Sequence, residues 1–170
     1  NAKKNIEKAG VTGIELRLCD GFSGISSDEF DTAVIAGMGG EVIAGIIERG
    51  LQLLKNTDKK LILQPTTSPE FLRRFLNQNG FYIKEELPVA ENNKLYSVML
   101  VVYSGNLQPL PEYKYYIGNI SPTESDGLEY IKKQQKRCFQ CMKSLENIPD
   151  KTEEFEKYKK LYANITNFNN

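Results

Sequence analysis

The residues best suited to chemistry sit where short apolar runs end. Phe30-Asp31-Thr32-Ala33-Val34-Ile35-Ala36 stops at Gly37-Met38-Gly39-Gly40 and resumes as Glu41-Val42-Ile43 with helical spacing. This reads as a strand, a bare-backbone loop and a helix N-terminus. Glycines there let backbone N–H groups approach a ligand, and the positive helix end favours an anionic group. Earlier, Ile14-Glu15-Leu16-Arg17-Leu18 leads into Cys19-Asp20-Gly21-Phe22, a second apolar run closing on an acid and a glycine. A third, Lys60-Leu61-Ile62-Leu63, closes on Gln64-Pro65. If the runs are strands of one parallel sheet, their ends share the edge where such sheets bind ligands. Taken singly each signal stays open: Gly-x-Gly-Gly and Asp-Gly also make plain turns, and Met38 also suits a core gap.

The chain contains no histidine. Ser-His-Asp and Cys-His catalysis and the usual histidine-containing metal centres are therefore excluded, leaving carboxylates, Lys, Tyr, backbone dipoles or a reactive cofactor. Three cysteines give no disulfide framework, and Cys138 and Cys141 alone make a poor metal site, so no metal is expected. The 170 residues carry 22 basic and 22 acidic side chains, a balance that disfavours a strongly electrostatic nucleic-acid binder but permits a local basic patch. No run approaches the roughly 20 apolar residues of a membrane span, and a soluble cytoplasmic protein is expected.

The elements that must position these residues follow from periodicity. Residues 2–10 read as a helix, 14–18 and 31–35 as strands, and 42–54 as a helix with Val42, Ile43, Ile46, Ile47 and Leu54 inward. Residues 60–64 read as a strand stopped by Pro65. Ser68-Pro69-Glu70 starts a serine-capped helix with the stripe Phe71, Leu72, Phe75 and Leu76, ending at Asn79-Gly80. Residues 81–87 and 95–103 read as adjacent strands around Glu91-Asn92-Asn93. The alternating βα order closing on an antiparallel pair predicts an α/β, doubly wound sheet over residues 1–105.

Residues 106–123 read as an irregular linker rich in proline and tyrosine. From Glu124, residues Leu128, Ile131, Gln135, Cys138, Met142, Leu145 and Ile148 alternate steps of three and four, a coiled-coil-like seam broken at Pro149. Phe155, Tyr158, Tyr162 and Ile165 continue on a second helix. Residues 124–170 are thus expected to form an antiparallel helical hairpin.

Ala36-Gly37-Met38-Gly39-Gly40, Leu61-Ile62-Leu63-Gln64-Pro65, Phe71-Leu72-Arg73-Arg74-Phe75-Leu76 with Asn79-Gly80-Phe81, and Glu91-x-x-Lys94-x-Tyr96 together resemble the bacterial TrmK family. These are tRNA adenine-N1 methyltransferases that use S-adenosylmethionine (SAM) and modify adenine 22. The resemblance runs from Asn1 to about Gly105, and the hairpin resembles the family's coiled-coil tail. It implies a Rossmann-like SAM methyltransferase fold and a tRNA partner. It also implies that Asp20 and Gly21 face the cofactor's adenine, that Ala36, Gly37, Met38 and Gly39 lie beside its methionine end, and that Gln64 and Pro65 flank the substrate base. It assigns no chemical role to Glu91, Lys94 and Tyr96, which also suit an exposed ion pair at a turn, and it names no catalytic residue.

Two departures accompany it. The family's first two strands, its glycine-rich cofactor loop and its ribose-binding acid have no counterpart here. In the order 3-2-1-4-5-7-6 of such sheets their absence would leave unpaired edges, so a truncated chain, inactive alone, is expected. Thr66 and Ser97 stand where the family usually has asparagine and glutamate.

Lys132, Lys133, Lys136 and Arg137 on the first hairpin helix are the candidate tRNA contacts, although such runs also form ordinary solvated faces. Two rival readings use the same residues. One is a non-catalytic module that pairs through the hairpin; the other is a SAM enzyme with a non-RNA substrate. Oligomeric state is left open.

Overall fold

The structure, a computed structural model, describes residues 2–55, 58–92, 94–107 and 109–168. Strands Thr32–Gly39 (β1), Lys60–Thr67 (β2), Phe81–Glu91 (β3) and Lys94–Tyr103 (β4) form one sheet ordered β1-β2-β4-β3. β1 and β2 are parallel; β4 runs antiparallel to both β2 and β3. This is the alternating α/β order closing on an antiparallel pair that the sequence predicts. Of the turn at Glu91-Asn92-Asn93, Asn93 lies outside the described residues.

Ala2–Ala9 (α1) buries no residue, whereas helices Gly40–Arg49 (α2), Leu51–Leu54 (α3) and Pro69–Gln78 (α4) accompany the sheet. Ile43, Ala44 and Ile47 of α2 and Leu72 and Leu76 of α4 share one core with Leu61, Leu63, Met99 and Val101 of the strands. Full burial of each large apolar side chain contributes roughly 1.5–3 kcal/mol, so this cluster fixes the register of the loops above it. The inward faces differ from those read in sequence. Val42 is 56% exposed and Phe71 46% exposed, because α2 begins at Gly40 and α4 turns Leu72 and Arg73 inward instead. The expected 42–54 helix is broken at Gly50, where a side chain would meet the Phe22 ring at 2.5 Å.

Residues 14–18 are not a strand. A strand needs a ladder partner, and among the described residues none lies beside this segment. Leu18 is wholly exposed, and Arg17 binds Glu15, Glu29 and the Gly24 carbonyl instead. β1 is accordingly an edge of the sheet.

Residues 109–123 are more ordered than their composition suggests. They include Glu112–Ile117 (α5), and Tyr115, Tyr116, Ile117 and Ile120 are buried in a second core. Ser125–Leu145 (α6) and Thr152–Phe168 (α7) supply the rest of that core through Tyr130, Ile131, Cys138, Leu161 and Ile165. Gln135 donates to Thr166 Oγ1 at 2.7 Å, and Phe139 packs on Tyr162. Rising numbers on α6 meet falling numbers on α7, so the hairpin is antiparallel, as expected. Ile148 leaves the seam and is exposed, since α6 ends at Leu145.

Candidate functional site

The glycine segment is the irregular end of a strand. β1 continues through Gly37 to Gly39, and β2 continues through Pro65 to Thr67, so Pro65 does not stop it. The register shifts on either side of Met38, leaving Gly37 as an extra residue at φ +76°. Such a bulge turns the strand end and frees its backbone. The Gly37 N–H donates to Gln64 Oε1 at 2.8 Å, and Met38 lies opposite Pro65. The two strand ends are thereby tied together, with Ala36, Gly37 and Met38 exposed. A side chain on Gly37 would meet nothing within 4 Å, so open space adjoins this backbone.

The start of α2 is held from below. A Cβ on Gly40 would lie 2.3 Å from the Ser68 carbonyl oxygen, and one on Gly39 would lie 2.9 Å from Thr67 Oγ1. Ser68 adopts φ +48° and forms no side-chain cap on α4, contrary to the sequence expectation. Its backbone instead packs against Gly40.

Asp20 and Gly21 do not join this loop. Asp20 pairs with Arg49 at 3.0 Å, and a Cβ on Gly21 would meet Ile46 at 2.9 Å. Ile46 lies six residues along α2 from Gly40, about 9 Å at the helical rise.

A cleft of about 510 Å³ opens between the β2–α4 joint, the start of β4 and α6. Pro65, Tyr96, Lys133, Lys136 and Arg137 line it, joining one expected base-flanking residue to three of the four expected basic ones. Gln64 and Lys132 are not among its lining residues. Lys133 donates to the Leu95 carbonyl at 2.9 Å, and Arg137 grips the Glu70 carboxylate with two bonds of 2.7 and 3.0 Å. Among the described residues Lys132 and Lys136 form no ion pair. Glu91 and Lys94 are partners in the β3–β4 ladder and form no ion pair among the described residues.

The sequence reading missed Tyr130 and Gln134, which also border the cleft, as does Ser97, noted there only as a departure from the family. Gln134 is one position from the residue placed in the seam, and a shift of one on a helix turns a side chain about 100°.

A buried ionic cluster fixes α6 over the sheet. Arg73 donates to Glu86 Oε1 at 2.6 and 3.0 Å, to the Tyr115 and Tyr116 carbonyls at 2.7 and 3.0 Å, and to Tyr130 OH at 2.8 Å. It also reaches Ser97 Oγ at 3.3 Å. Burial opposes the Arg73 charge, but the attraction of Glu86 outweighs it and holds the guanidinium above its ordinary value. Glu86 points inward because β3 bulges between Ile83 and Glu85, which exchanges the faces of the strand. Burial also pushes the Cys138 thiol up to about 11, so it stays protonated at neutral pH and is no nucleophile.

Glu70 gives the α4–α6 contact a pH dependence. Burial opposes its charge, yet the hydrogen bonds from Arg137 hold the carboxyl below its ordinary 4.5. A carboxyl depressed in the folded state stabilises above its unfolded value and loses that contribution as pH falls through the folded one. The stability difference between wild type and Glu70→Gln is expected to be constant near neutrality and to shrink below pH 4.5, as read by urea unfolding. A difference independent of pH would refute the assignment.

Among the described residues no helix is long and apolar enough to cross a membrane, and no three metal-ligating side chains stand together.

This architecture is shared with solved proteins. Sp1610 of Streptococcus pneumoniae superposes with a TM-score of 0.80 at 28% identity over 99% of this chain and 76% of that one. A second structure of that protein, in complex with S-adenosyl-L-methionine, gives 0.77 at 28% identity over 99% and 75%. A protein of the NADB-Rossmann superfamily from Streptococcus agalactiae gives 0.80 at 28% identity over 99% and 74%. The tRNA (adenine(22)-N(1))-methyltransferase of Bacillus subtilis is 36% identical over 101 residues, 59% of this chain and 42% of its own length. The matched region thus spans less than half of that relative. With residues 1–170 matching the family of tRNA (adenine(22)-N(1))-methyltransferases throughout, the chain belongs to the TrmK family.

Proposed function

We propose that the chain forms the substrate side and part of the cofactor side of an enzyme that methylates N1 of adenine 22 in tRNA with SAM, in the cytoplasm. The observation carrying this reading is the pairing of Met38 with Pro65, which links the open glycine bulge to a cleft bordered by the basic face of α6, although none of residues 36–39 lines that cleft. Residues 1–105 serve as the cofactor-binding unit, 106–123 as the connection and 124–170 as the RNA-facing hairpin. Ala36, Gly37, Met38 and Gly39 suit the methionine end of SAM, since Ala36, Gly37 and Met38 are exposed and open space adjoins the Gly37 backbone. Asp20 and Gly21, set apart from that loop beside Arg49 and Ile46 of α2, are assigned to the adenine end, since the two ends of SAM lie well apart.

SAM supplies, when bound, an electrophilic methyl group. Adenine N1 is neutral with an in-plane lone pair, so no residue has to remove a proton before transfer. A chain without histidine can serve such a reaction, because alignment and exclusion of water do most of the work. Pro65 and Tyr96 would wall the base, and Lys136 would meet a phosphate.

Calorimetry with SAM and labelled-methyl transfer to unmodified tRNA test the reading on the full-length protein. Lys132→Glu with Lys136→Glu should weaken tRNA binding and flatten its salt dependence by up to about 0.9 for each phosphate no longer neutralised. SAM binding should be unchanged. Absence of transfer to tRNA overturns the reading, and transfer to protein extract instead would favour a non-RNA substrate.

A further inference from the structure

Gln134 is buried at the border of the cleft, and its Oε1 accepts no hydrogen bond among the described residues. A buried acceptor without a partner is costly, and native structures retain few of them without a reason. Arg73, which binds Tyr130 one helical turn before Gln134, is already committed to Glu86, two backbone carbonyls, Ser97 and Tyr130. The end torsion of a glutamine is broad, so the amide can turn toward the cleft when a donor enters.

The chemistry of the target narrows what that donor is. An adenine whose N1 is to react cannot be held by its Watson–Crick edge, since N1 is the acceptor there. Its other polar edge offers the N6 amine as donor and N7 as acceptor. A glutamine amide matches that pair with two hydrogen bonds, Oε1 accepting from N6–H and Nε2 donating to N7. Tyr96 lines the same cleft and supplies an aromatic face for the base, while Lys136 lines it with a cation for the phosphate.

Resting on the methyltransferase reading, we infer that Gln134 is a specificity-determining residue that holds the target adenine by N6 and N7 and leaves N1 free. The hairpin then selects the base as well as binding the RNA.

The test compares tRNA carrying adenosine with tRNA carrying 7-deazaadenosine at the target, using wild type and Gln134→Leu at full length. In wild type the loss of N7 should lower kcat/KM about tenfold. In Gln134→Leu both substrates should be used equally poorly, with SAM affinity and melting temperature maintained. Comparing the two enzymes cancels any intrinsic change in N1 reactivity. Gln134→Leu that methylates normal tRNA at the wild-type rate overturns the inference, as does an equal 7-deaza penalty in both enzymes. Should Gln134→Leu fail to fold, wild type alone decides, because equal use of the two substrates overturns the inference. Wild type that methylates neither tRNA removes the methyltransferase reading itself, an outcome distinct from loss of discrimination.

Discussion

Arg73→Ala should lower the unfolding free energy by about 3–5 kcal/mol, the usual cost of removing one partner of a buried ion pair. The variant leaves Glu86 buried with no cation, and strips the Tyr115 and Tyr116 carbonyls and Tyr130 OH of their donor. These partners lie on β3, α5 and α6, so loosening should be felt where the hairpin meets the sheet. Glu86→Ala should cost a similar amount, since it strands the guanidinium instead. The double variant should lose clearly less than the sum, because neither charge is then left alone. Urea unfolding of the three variants measures this directly. Strict additivity would show that the two side chains act independently and that the cluster does not hold the hairpin in place.

Arg73 also marks where the sequence stops being legible. Its helix is readable from Pro69, the apolar stripe and Asn79-Gly80, but period alone places Phe71 inward and gives Arg73 to solvent. The structure reverses this because Glu86 waits beneath it, and Glu86 is there only through a one-residue bulge in β3. A pairing shift of this kind leaves no mark on the alternation of a single strand. The β1, β2 and β4 pattern, by contrast, is legible, since each contains an apolar run bounded by turn residues.

The site divides the same way. Gly37, Met38, Gln64 and Pro65 come together as expected, because parallel strands in adjacent βα units necessarily end on one edge. Asp20 and Gly21 depend on a strand at residues 14–18, and β-propensity without a neighbouring ladder does not make one. On α6, Lys133, Lys136 and Arg137 stand out by charge, whereas Gln134 carries no charge and looks like any surface amide. Only its burial and its missing partner distinguish it.

Gly40→Ala should be far more damaging than Gly37→Ala, although the two glycines lie in one motif. At Gly37 the added methyl meets nothing, and the cost is the strain of φ +76°, about 1–2 kcal/mol. At Gly40 the methyl would stand 2.3 Å from the Ser68 carbonyl oxygen and 3.1 Å from that of Thr67. Neither contact is with a flexible side-chain end. Ser68 is constrained by its own φ of +48° and by Pro69, so α2 must move away from the β2–α4 joint. Overpacking of this kind costs about 1–3 kcal/mol or more. The displaced helix follows directly on the end of β1 that holds the bulge at Gly37 and Met38 opposite Pro65, so the effect on chemistry should exceed the effect on stability. A misplacement near 1 Å in such a site lowers turnover about a hundredfold. On the proposed function, methyl transfer by the full-length protein carrying Gly40→Ala should therefore fall by about that factor at temperatures where circular dichroism still shows a folded protein. Near-normal turnover would mean that the start of α2 does not set the geometry of the site.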